Sequence, residues 1–177
     1  MGNLFNWCAN LTSLNLDNWY LVNIDAMINI FQWTSWLKTL SLKHWVLPTT
    51  FIYMLWNYPT QLAAQLDWID VSDWDLSNTT TIEWLFADSY TKKIIWMDTW
   101  DTSNLQSMRN MFLTAPNLTK VDVSNWDLSN LTDVSAMFKG SNISEVVWIN
   151  TWKNTSNITN MADMFKESRN LKSVDFG

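Results

Sequence analysis

The chain predicts an α/β repeat fold, a solenoid with one short strand and one short helix in each coil of about 26 residues, and three observations carry the prediction. Trp19, Trp45, Trp74, Trp100, Trp126 and Trp152 recur at steps of 26, 29, 26, 26 and 26 residues. The phenylalanines keep the same time: Phe5 and Phe31 stand one period apart, Phe86, Phe112 and Phe138 follow at that period, and Phe165 falls one residue late. Within each repeat, the apolar pattern switches from a two-residue alternation to a helical spacing.

The strand is predicted where Val121 and Val123 flank Asp122, a short segment with one buried face. Equivalent strands are Leu14–Leu16, Leu40–Leu42, Ile69–Val71, Ile95–Met97, Val147–Ile149 and Val174–Phe176. A polar turn follows each Trp. The helix is then predicted from apolar residues at i, i+3, i+6 and i+7, as in Leu131, Val134, Met137 and Phe138, or Leu105, Met108, Met111 and Phe112, or Ile158, Met161, Met164 and Phe165. Ser103-Asn104, Ser129-Asn130 and Ser156-Asn157 stand where such helices need N-terminal caps. The repeated Trp ring is expected to stack on its neighbours and fill the corner between strand and helix. Asp75, Asp101 and Asp127, each following a ladder Trp, are expected as turn caps.

One domain, residues 1–177, is expected to hold about six such repeats. The long step from Trp45 to Trp74 places an insertion after Trp56, near the turn-like residues 57–60. The apolar fraction of 47% is ample for a core. A net charge of −6 leaves too few cations to neutralise a phosphate backbone, so no nucleic-acid partner is expected. The longest apolar stretch, Phe51 to Trp56, is far short of a membrane span, and no membrane insertion is expected. A single cysteine, Cys8, and a single histidine, His44, supply no nucleophile–base pair or metal cluster. No catalysis, metal or cofactor is therefore expected. Seven Asn-x-Ser/Thr triplets arise automatically from a Ser-Asn-Leu-Thr repeat and need no glycosylation to explain them.

The stretch from Val121 to Phe138, with its strand, Ser-Asn-Trp-Asp turn and Met-Phe end in order, resembles the repeat of BspA-like bacterial surface proteins, also known as mycoplasma-type lipoprotein repeats. The likeness is strongest from Asp98 to Asp175. It departs from the family where a Gly-Cys pair usually follows Met-Phe, since that column here reads Cys8, Thr34, Ser89, Ala115, Ser141 and Ser168. The resemblance implies a right-handed, leucine-rich-repeat-like solenoid with a parallel sheet on one face. It also implies a cell-surface or secreted location, without a signal peptide or anchor in these residues, and adhesion to a host or matrix protein or glycan.

A binding face is predicted on the strands. The middle residue of each points away from the core and builds the column Asn15, Ser41, Asp70, Trp96, Asp122, Trp148 and Asp175. Trp96 and Trp148 bracket Asp122, so at the ~4.8 Å spacing of coils their rings would lie ~10 Å apart. Trp68 sits one column over, and Trp84 occupies an outward position on the helix side. Stacking on the rings, oriented by Asp70, Asp122 and Asp175, would make a protein- or glycan-binding module. The alternative is a structural spacer that self-associates through apolar, uncapped ends without a specific ligand.

Overall fold

A computed structural model describes residues 4, 5, 8, 10–23, 31, 34, 36–52, 54, 55, 66–147 and 155–174 of the chain. Trp148, Trp152, Asp175 and the insertion at 57–60 lie outside these residues.

Among the described residues there are six short strands: β1 (Ser13–Asn15), β2 (Thr39–Ser41), β3 (Trp68–Asp70), β4 (Ile94–Ile95), β5 (Lys120–Asp122) and β6 (Glu145–Val147). All pairings are parallel and join consecutive coils: β1 to β4 form one sheet in sequence order, and β5 and β6 form a second. A further run of parallel bridges, Thr50 to Thr81, Ser107, Asp133 and Asn160, ties the coils together outside the strands.

The predicted strand-plus-helix coil is not what forms. Among the described residues there is no α-helix, only a single 3-10 turn at Met97–Thr99, and the strands sit in two small parallel sheets linked by turns. The reason lies in the backbone of the supposed helix. Trp84, Asn110, Ala136 and Asp163 all have positive φ, and so do Asp88, Thr114, Gly140 and Glu167 four residues later in each coil. A left-handed residue at every fourth position stops right-handed helical propagation. The amides then alternate between two destinations. Met137, Lys139 and Ser141 donate to carbonyls three residues back, whereas Val134, Ala136, Phe138 and Gly140 donate to Asn160, Ala162, Met164 and Lys166 of the next coil. The same alternation recurs from Met108 to Ala115, and inter-coil donation from Ile82, Trp84, Phe86 and Asp88 repeats it. Consecutive tight turns of this kind return residues three or four apart to the same side. They therefore share the apolar spacing of a helix without its hydrogen bonds.

Two aromatic ladders fill the core. Trp19, Trp45, Trp74, Trp100 and Trp126 stack at centroid separations of 5.6, 5.7, 5.1 and 6.0 Å with near-parallel planes. Phe86, Phe112, Phe138 and Phe165 stack likewise at 5.6, 5.3 and 5.4 Å. Each buried indole also donates its Nε1–H to a carbonyl of the coil before it: Trp45 to Leu16, Trp74 to Leu42, Trp100 to Val71 and Trp126 to Met97. Ring burial of ~150–250 Å² at ~25 cal/mol/Å² gives ~4–6 kcal/mol per indole before entropy is subtracted. The polar tip loses nothing, because its donor is paired.

Turn chemistry repeats with the coils. Asp75, Asp101 and Asp127 accept the amides of Ser77, Ser103 and Ser129, closing the expected Asx turns after Trp74, Trp100 and Trp126. The asparagines of the next step serve the stack in place of helix caps: Asn104, Asn130 and Asn157 donate their side-chain amides to Ser77, Ser103 and Ser129 carbonyls one coil back.

Candidate functional site

The strand-face residues do not form one uniform column. Asn15 and Asp122 are exposed, Ser41 and Trp68 are half-buried, and Asp70 is only 7% exposed. Asp70 is drawn in by its neighbours, with Lys43 Nζ at 3.2 Å and the Ser72 amide on Oδ1. Such a carboxylate is already committed to the fold. The same holds for Asp17, which accepts the Ser41 hydroxyl and the Lys43 amide; these bonds outweigh the burial that would raise its pKa and hold its carboxyl below the usual range. Asp67 pairs with Lys92 and Lys120 with Glu145 across adjacent coils, so much of this face is occupied by ion pairs worth little each.

Trp96 is the exception. Its expected place was the middle of a strand from Ile95 to Met97, in register with Asp70. The pairing instead puts Ile95 opposite Asp70, while Val71 and Met97 play equivalent parts as acceptors for the indoles of Trp100 and Trp126. Trp96 is therefore one residue extra between Ile95 and Met97. It takes up the left-handed conformation, φ 65° and ψ 25°, just ahead of the 3-10 turn, and β4 ends there. Its side chain is 56% exposed. Asp122, with an exposed carboxylate that accepts the Ser124 amide, lies on β5 of the second sheet, beyond this break. Trp148 and Asp175, the other members of this predicted column, fall outside the described residues.

On the turn side there is a shallow groove of about 480 Å³ that the strand-face reading missed. Trp84 stands at one end of it, Asn110, Ser135 and Ala136 form its floor, and Arg109 and the Lys139–Asp163 pair border it. The signal for it was present in the sequence, because Trp84, Asn110 and Ala136 share one column; the charged residues beside them gave no such signal. Lys139 and Lys166 both bond Asp163 and hold its carboxyl below the usual range. Among the described residues no group of three or more His, Cys, Asp or Glu side chains converges as a metal site. No helix there is long and apolar enough to cross a membrane.

Fold and surface together define a repeat protein of stacked strand-and-turn coils that displays isolated aromatic side chains outside a closed aromatic core. The chain belongs to the family described as Mycoplasma protein of unknown function, DUF285, whose model matches residues 1–91 and 57–175. No curated protein and no solved structure matches it.

Proposed function

We propose that the chain is a non-enzymatic binding module of a cell-surface repeat protein, which attaches to a protein or glycan through the outward aromatic at the sheet break. The carrying observation is Trp96: a bulky residue in a left-handed conformation, more than half exposed, where the backbone makes room for it by one additional residue. A non-glycine residue at positive φ costs ~1–2 kcal/mol, and an exposed ring gains little burial in return. The ladder Trp100, four residues on, contributes to the core; Trp96 does not. Membership of a repeat family and the likeness to BspA-like surface repeats support placing this module at the cell surface. Trp68 and the carboxylate of Asp122 are the proposed flanking contacts, whereas Asp70 would orient Lys43 in place of touching a ligand.

Surface plasmon resonance against an immobilised panel of matrix glycoproteins and glycans tests this, with the parent chain beside a Trp96→Gly variant. The reading expects binding by the parent that the variant loses while its circular dichroism is unchanged. No binding by the parent at micromolar concentration sinks it. Mass that rises with protein concentration and is the same in both proteins would favour self-association in its place.

A further inference from the structure

We infer that the turn-side groove beside Trp84 is a second binding site, built for an acidic saccharide, a pyranose ring carrying a carboxylate. This deepens the binding-module reading and rests on it, but places a ligand at a groove that Trp96 does not line.

Three features of the groove converge. The first is an aromatic wall, since Trp84 is half-buried and lines the groove where the next two coils have only Asn110 and Ala136. The small residues make the hollow and the large one makes its edge, which is the arrangement that receives the apolar face of a sugar ring. The second is a charge imbalance. Asp163 is answered by Lys139 at 2.9 Å and Lys166 at 3.3 Å, whereas Arg109 has no carboxylate within ion-pair distance among the described residues. In a chain of net charge −6, this leaves a planar guanidinium free to take a carboxylate through two parallel hydrogen bonds. The third is the floor. Asn110 and Ser135 are 5% and 8% exposed, and no described residue takes up their side-chain amide or hydroxyl, so both can meet sugar hydroxyls. Neutral sugars would use the wall and floor alone. A carboxylated ring also engages Arg109, which selects it.

The array supplies its own conservative variants. Trp84→Asn copies Asn110 at the same left-handed position, and Arg109→Ser copies Ser135 one coil on, so neither introduces a residue foreign to its place in the coil. Isothermal titration calorimetry with a trigalacturonate, and with a neutral maltotriose of equal length, reads the site on the full chain. The inference expects the trigalacturonate to bind and the maltotriose to bind at least about tenfold more weakly. Each of the two variants should lower trigalacturonate affinity about tenfold or more, and Trp96→Gly should leave it unchanged. Absence of trigalacturonate binding by the parent overturns it. So does binding that survives both groove variants, or equal affinity for the neutral sugar. Loss with Trp96→Gly and retention with Arg109→Ser would assign the saccharide to the strand face and refute the groove while leaving the binding-module reading intact.

Discussion

Replacing Trp100 should reveal how much of the stability resides in the indole ladder. Its ring is 2% exposed, lies 5.1 Å from Trp74 and 6.0 Å from Trp126, and its Nε1 donates to the Val71 carbonyl at 3.0 Å. Truncation to alanine removes a whole buried ring, for which the usual cost is ~3–5 kcal/mol. Two stacked neighbours are broken at once, each worth ~0.5–1.5 kcal/mol beyond area, so the upper end of that range is expected. Phenylalanine keeps a ring in the stack but deletes the donor and part of the area; the lost hydrogen bond alone is worth ~1 kcal/mol, and ~1–3 kcal/mol in total is expected. The order Trp, Phe, Ala follows. Urea unfolding monitored by far-ultraviolet circular dichroism gives both values, provided the slope m is compared as well, because a stack of coils can lose cooperativity when its middle is weakened. A Trp100→Ala protein within ~1 kcal/mol of the parent at unchanged m would refute the ladder as a principal source of stability.

Other predictions follow from the same contacts. The Ser141 hydroxyl is buried without a partner, whereas that of Ser168 donates to the Phe138 carbonyl at 2.5 Å. Ser141→Ala should therefore be neutral or stabilising by up to ~1 kcal/mol and Ser168→Ala should cost ~1 kcal/mol, which thermal unfolding of the two variants compares. Ala136 at φ 51° should gain ~0.5–1 kcal/mol from Ala136→Gly. Gly140→Ala should lose stability instead, since φ is 65° and the new Cβ would stand 3.0 Å from Thr114 Cγ2; urea midpoint shifts of opposite sign, with the larger magnitude at Gly140, are the expected readout. The hydroxyl and amide of Ser77 hold the Asp75 carboxyl below its usual range, and Ser103 does the same for Asp101. A lowered folded value means stability that is present above the unfolded carboxylate value of ~3.9 and is lost as pH falls through the folded one. Asp75→Asn/Asp101→Asn keeps the Asx turns through the amide oxygen, so its Tm should fall less than the parent's between pH ~5 and ~2.5. Parallel Tm curves for the two proteins would contradict that assignment.

Much of the stacking was legible in the sequence. The Trp and Phe columns are set by one period, and stacked equivalent positions are how a coil array makes a core. The Asx turns were legible for a related reason, because Asp75, Asp101 and Asp127 act on amides two residues away and need no tertiary partner. The coil's tight turns are not legible in the same way. Val134, Met137 and Phe138 report only that residues three and four apart face inward, and apolar spacing does not say whether an amide such as that of Ala136 bonds within its coil or crosses to Ala162. The register at Trp96 was hidden in a similar way. Trp74 and Trp100 are 26 residues apart, but their strands pair at 25, from Ile69 to Ile94, and the difference is the extra residue itself. The burial of Asp70 depends on Lys43 in the previous coil, and the groove on Arg109, Lys139 and Asp163 from three successive coils. Local pattern cannot show which charges meet between coils.

The groove beside Trp84 depends on a coil closed by left-handed turns in place of helices, so the backbone of residues 134 to 140 is the most direct test of the fold. Carbon-13 chemical shifts of these residues should show the left-handed signature at Ala136 and Gly140, four residues apart, with no continuous helical run between them. An unbroken set of right-handed helical shifts from Val134 to Lys139 would contradict the account at its base.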